Sequence, residues 1–101
     1  MTDEAPQTQE TYLTPELVEN LTARLNRLEG HVRGVNRMLN EQKPCEDILV
    51  QLTAIKSALN QVTIKLLEGH IEMCVSDYLR DGETEALDRL KSALAVVLKN
   101  S

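Results

Sequence analysis

Apolar residues recur at three- and four-residue steps through most of this chain, and they do so in three blocks. In the first, Leu17, Leu21, Leu25, Leu28, Val32, Val35 and Leu39 trace one face of a helix. Thr14-Pro15-Glu16 ahead of them is a start signal, with Thr14 as N-cap, Pro15 at the first helical position and Glu16 near the positive end of the dipole. The block predicts a helix from 15 to about 41. Gly30 and Gly34 lie one turn apart inside it and lower its propensity. They serve either to admit a second helix closely or as tolerated defects.

Pro44 ends that block, because it disfavours helical geometry at Lys43. A second helix starts at Pro44 or Cys45, with Glu46 and Asp47 matched to its dipole. Ile48, Leu52, Ile55, Leu59, Val62 and Leu66 then alternate four- and three-residue steps, with Met73 in register further on. Such a pattern is a helix-packing seam, and it predicts a helix to about Leu79. Asp81-Gly82 stops it, and Glu83 or Thr84 opens a third helix striped by Leu87, Leu90, Leu94 and Val97 or Leu98. Residues 1–13 show no periodicity and predict a disordered tail, which leaves 14–101 as one domain. The expected fold class is all-α, a three-helix subunit.

Composition sharpens this picture at two points. With 101 residues, two tyrosines and no Phe or Trp, the chain can bury only a thin aliphatic core, so self-association is the default expectation. The net charge of −5 speaks against nucleic acid when taken alone. Its distribution is less unfavourable: residues 16–40 set Arg24, Arg27, Arg33 and Arg37 against Glu16, Glu19 and Glu29. The acidic, polar N-terminus is no signal peptide and no run is long enough to span a membrane, so the expected location is the cytoplasm.

The chemistry resides in two thiols and a histidine. His70 and Cys74 stand four apart on the second helix, share a face and can grip one ligand. A buried thiol beside a hydrogen-bonded histidine is the bland alternative. Cys45 lies 29 residues before Cys74, roughly 43 Å along a continuous helix. Either the cysteines are unrelated, or a second copy of the helix runs antiparallel and brings its Cys45 to this chain's His70 and Cys74. Two thiolates and an imidazole form a soft donor set suited to Cu(I). His31 reads as a solvated or phosphate-facing side chain. An enzyme with Cys74 as nucleophile and His70 as base would lack an orienting third residue and an oxyanion-stabilising loop.

The stretches RLNRLEGHVRGVNRML (24–39), CEDILVQLTAIKSALNQV (45–62) and LLEGHIEMC (66–74) resemble the CsoR/RcnR family of metal-sensing repressors, over about residues 16–98. The resemblance implies antiparallel four-helix-bundle dimers pairing into homotetramers that bind double-stranded operator DNA as apoprotein. It further implies that Cys45 of one subunit, with His70 and Cys74 of its partner, binds Cu(I) and so releases the DNA. Arg24 matches the family's DNA-binding arginine on the first helix. Arg27, Arg33, Arg37 and Lys65 are the other candidate DNA contacts, expected to act through phosphates and DNA shape.

The sequence also departs from the family pattern. Copper-sensing members commonly carry a tyrosine just before the first cysteine and a glutamate on the third helix. Here those places hold Pro44 and either Arg89 or Leu90. A basic residue midway along the second helix is replaced by Gln61, with Lys65 a turn later. The alternative function is therefore a sensor of persulfides or other reactive sulfur that bridges Cys45 and Cys74 between subunits. Nickel- and cobalt-sensing members recruit N-terminal histidines, and residues 1–30 contain none.

Overall fold

The computed structural model describes residues 12–99 of the chain. These residues form three helices and no strand: α1 (Pro15–Asn40), α2 (Cys45–Asp81) and α3 (Thr84–Lys99). Most of the expected tail, residues 1–11, lies outside the described part, while Tyr12 and Leu13 lie inside it.

Local chemistry sets each boundary. α1 closes in a Schellman motif, in which Lys43 N–H reaches the Met38 carbonyl at 3.0 Å and Gln42 N–H the Leu39 carbonyl at 3.1 Å. Gln42 takes the left-handed conformation this requires, at φ 56°. Pro44 then caps α2, its carbonyl accepting from Asp47 at 3.0 Å and Ile48 at 3.2 Å. α2 ends in a simpler left-handed cap, where Gly82 (φ 66°) donates to the Tyr78 carbonyl at 2.8 Å.

The chain divides into two compact units, one of residues Pro15–Ile64 and one running from Lys65 onward, to which the segment just before Pro15 also belongs. In the first, α1 and the leading half of α2 form an antiparallel hairpin. Leu21, Leu28 and Val62 make its buried core, flanked by Leu17, Ile55 and Ala58. Polar pins repeat the antiparallel order: Arg24 bonds Gln61, and seven residues further along α1 His31 bonds Gln51.

The single stripe expected on α1 resolves into two. Leu21, Leu28 and Val35 turn inward and are buried, whereas Val18, Leu25, Val32 and Leu39, at every seventh residue, stay 44–57% exposed. On α2, Leu52 and Leu59 are likewise about half exposed. A shallow groove of about 690 Å³ runs along this face past Leu25, Val32, Ile55 and Leu59. Gly30 and Gly34 are not points of close helix approach among the described residues. The atom nearest a Cβ built at each is the Nη2 of Arg33 or Arg37, 3.8 Å away.

The second unit buries different material. Cys74 and Ala86 are fully enclosed, and Asp77 is 6% exposed. Asp77 joins α2 to α3 through Arg89 Nη2 at 3.3 Å, and Arg80 Nη2 holds its other oxygen at 2.9 Å. No helix among the described residues is long and apolar enough to cross a membrane.

Candidate metal site

Two of the three expected ligands stand together. His70 and Cys74 lie one turn apart on α2. Cys74 is fully buried and His70 partly so. Neither cysteine is in a disulfide. Cys45 occupies the first position of the same helix and is exposed. Among the described residues, no three His, Cys, Asp or Glu side chains of one chain gather as ligands. The unbroken run of α2 accounts for this, since a helix holds its first turn apart from its eighth.

The surroundings of the pair contain residues that pattern reading does not single out. Tyr12 stacks on His70, with ring centroids 5.2 Å apart and planes 15° from parallel. Asp77, one turn beyond Cys74 on the same face, is the buried carboxylate held by Arg80 and Arg89. Asp81 first, and then Asp77, hold the Arg80 guanidinium above its ordinary pKa by hydrogen bonding and charge attraction. Asp77 carries a usable signal, a polar residue seven positions after His70 on a face otherwise committed to packing. Tyr12 carries none, because it precedes the first periodic block.

The candidate DNA contacts are placed as follows. Arg27, Arg33 and Arg37 are exposed along α1, and Lys65 is partly buried on α2. Arg24 is partly buried as well: its Nε donates to Asn20 Oδ1 at 2.9 Å and its Nη1 to Gln61 Oε1 at 3.3 Å. Gln61 thus orients an arginine on α1. His31 departs from its expected role. Its Nε2 lies 2.7 Å from Gln51 Oε1 in a partly buried contact, so it pins α1 to α2.

Comparison with known proteins agrees with this architecture. Residues 18–96 match the family model described as metal-sensitive transcriptional repressor. The chain is 40% identical over 81 residues to the copper-sensing transcriptional repressor RicR of Mycobacterium tuberculosis, covering 80% of this chain and 84% of that one. It is 42% identical over 67 residues to the copper-sensing transcriptional repressor CsoR of Bacillus subtilis, covering 66% of each. The Cu(I)-bound crystal structure of the copper-sensing repressor CsoR from Geobacillus thermodenitrificans superposes with a TM-score of 0.74 at 42% identity, covering 86% of this chain and 88% of that one. The nickel-responsive transcriptional regulator InrS gives the same TM-score at 35% identity, covering 83% and 92%. From its fold and its sequence together, the chain belongs to the metal-sensitive transcriptional repressors, which are regulators and not enzymes, and within them to the CsoR type.

Proposed function

We propose that this protein is a Cu(I)-responsive repressor, holding double-stranded operator DNA as a metal-free homotetramer and releasing it when Cu(I) is bound between subunits. The observation that carries the reading is the pair on α2: an imidazole and a fully buried thiol one turn apart, two soft donors awaiting a third. Cys45 of the partner subunit supplies that third donor if two α2 helices lie antiparallel, and symmetry then makes two equal sites per dimer. The half-exposed Val18, Leu25, Val32 and Leu39, with Leu52 and Leu59, suit such an assembly, because an apolar stripe of this length favours cover by another helix.

The donor set fits the metal. Cys74 and Cys45 of the partner subunit would hold it as thiolates, and His70 would complete three-fold soft coordination. Bound there, Cu(I) supplies a cross-link between subunits, and no redox step is needed. Arg24, Arg27, Arg33, Arg37 and Lys65 are the proposed phosphate contacts, repeated in every subunit, with Gln61 holding Arg24 in place. Operator release follows by linkage: ligation favours an assembly whose arginines no longer match the DNA backbone. Allosteric coupling of this kind weakens DNA binding by about 5–150-fold.

A second reading is favoured by Pro44 and by Arg89 or Leu90, which stand where copper sensors commonly have Tyr and Glu; Arg89 is engaged with Asp77. In it, Cys45 and Cys74 of neighbouring subunits are bridged by sulfur from a persulfide. Anaerobic titration of the reduced protein on operator DNA separates the possibilities. Release by one Cu(I) per subunit, with no release by Ni(II) or a persulfide donor, is the expected result. Release by the persulfide donor alone would replace the copper reading.

A further inference from the structure

The phenol ring of Tyr12 lies over the imidazole of His70, with centroids 5.2 Å apart and planes inclined by 15°. A near-parallel pair at that separation is laterally offset, the arrangement aromatic rings prefer. The chain has only two tyrosines and no Phe or Trp, so one of its two large aromatic rings is committed to this contact. Both rings are partly buried.

Geometry gives the stack a specific effect. The phenol covers a face of the imidazole and leaves the ring's edge, which carries both nitrogens, available for ligation. Covering a face restricts rotation about the ring's last torsion, which is otherwise broad. It therefore fixes the plane in which a nitrogen lone pair is presented. Tyr12 is itself tethered: Thr14 N–H donates to its carbonyl at 3.1 Å, immediately before α1 begins at Pro15.

We propose that Tyr12 is a positioning residue for His70, setting the imidazole plane for ligation and passing a change in that plane to the start of α1. This rests on the reading of His70 as a ligand. Tyr12 adds a contact from outside the three helices, on a segment that runs directly into the helix bearing Arg24. The stack itself needs only the ring, and the hydroxyl is not required.

Tyr12→Ala and Tyr12→Phe test this, with helix content checked by circular dichroism. In the metal-free protein, the His70 ring protons, assigned by their loss in His70→Ala, should be ring-current shifted in wild type and Tyr12→Phe. In Tyr12→Ala they should move to unstacked positions. Competition against a Cu(I) chelator should then show roughly tenfold weaker binding in Tyr12→Ala at unchanged stoichiometry, restored by Tyr12→Phe. Copper-driven operator release should weaken in the same variant. Identical His70 shifts in wild type and Tyr12→Ala would overturn the proposal, as would shifts that change while Cu(I) affinity and release do not. Failure of the parent reading looks different: wild-type protein itself would take up no stoichiometric Cu(I), and both would fall.

Discussion

The two halves of this chain bury opposite kinds of material. The hairpin of residues 15–64 closes on Leu21, Leu28 and Val62, three plain aliphatic side chains, with no fully buried charge beside them. The part from Lys65 onward encloses a thiol, a carboxylate and an alanine, with Cys74 and Ala86 fully buried and Asp77 nearly so. Aliphatic burial is non-directional and supplies stability. A buried thiol packs as a small hydrophobe and adds its own reactivity, and a buried carboxylate is tolerated only because Arg80 and Arg89 hold it. One half thus works as an aliphatic scaffold and carries Arg24, Arg27, Arg33 and Arg37, while the other encloses a thiol and an ion-paired carboxylate.

Substitutions should break the two halves separately. Leu28→Ala, in the aliphatic core, should cost about 2–5 kcal/mol in chemical denaturation, while the protein that remains folded still binds Cu(I) with wild-type stoichiometry. Cys74→Ala should do the reverse. Its denaturation midpoint should fall less than that of Leu28→Ala, while the coupling of about 5–150-fold between copper and operator binding disappears in a fluorescence-anisotropy titration.

Turn chemistry gives a finer contrast. Both α-helical ends within the chain use a left-handed residue, but the α2 end has Gly82 and the α1 end has Gln42. A Cβ at Gly82 meets no atom within 4 Å, so Gly82→Ala should cost about 1 kcal/mol, its backbone strain being partly offset by the lower unfolded-state entropy of alanine. Gln42→Gly should stabilise by about 1 kcal/mol or less, because the relief of strain is partly offset by the greater unfolded-state entropy of glycine. Destabilisation by Gln42→Gly, or stabilisation by Gly82→Ala, would argue against this assignment of strain.

The smallest expected effect is at the ion pair. Asp77→Asn should destabilise by about 1 kcal/mol, since Arg89 is 44% exposed and solvent screens the attraction. Its informative readout is the α3 contact: hydrogen exchange over Thr84–Lys99 should speed up while the hairpin is unchanged.

Much of this organisation is legible in the residues. Thr14-Pro15-Glu16, Pro44 and Asp81-Gly82 mark the helix ends to within two residues of where they fall, because caps and prolines act locally. The His70–Cys74 pair is equally legible, since four-residue spacing on a helix leaves no choice of face. What periodicity cannot do is divide one apolar face between two partners. Leu21 and Leu25 follow the same rule in sequence, yet one is buried and the other 44% exposed. That division depends on where α2 lies. His31 escapes sequence reading for the same reason: its neighbours along α1 include several charges, but Gln51 reaches it from the other arm of the hairpin. Tyr12 on His70 and Arg89 on Asp77 join residues 58 and 12 positions apart in the chain, and neither pair belongs to a local pattern.

The proposal that ligands come from two subunits can be tested directly by mixing defects. Cys45→Ala and Cys74→Ala proteins, each unable to form a complete site, are refolded together and titrated anaerobically with Cu(I). If each site takes Cys45 from one subunit with His70 and Cys74 from the other, mixed dimers regain one intact site. Random pairing then restores about a quarter of the wild-type capacity. A mixture that binds no more Cu(I) than either variant alone would contradict the shared site.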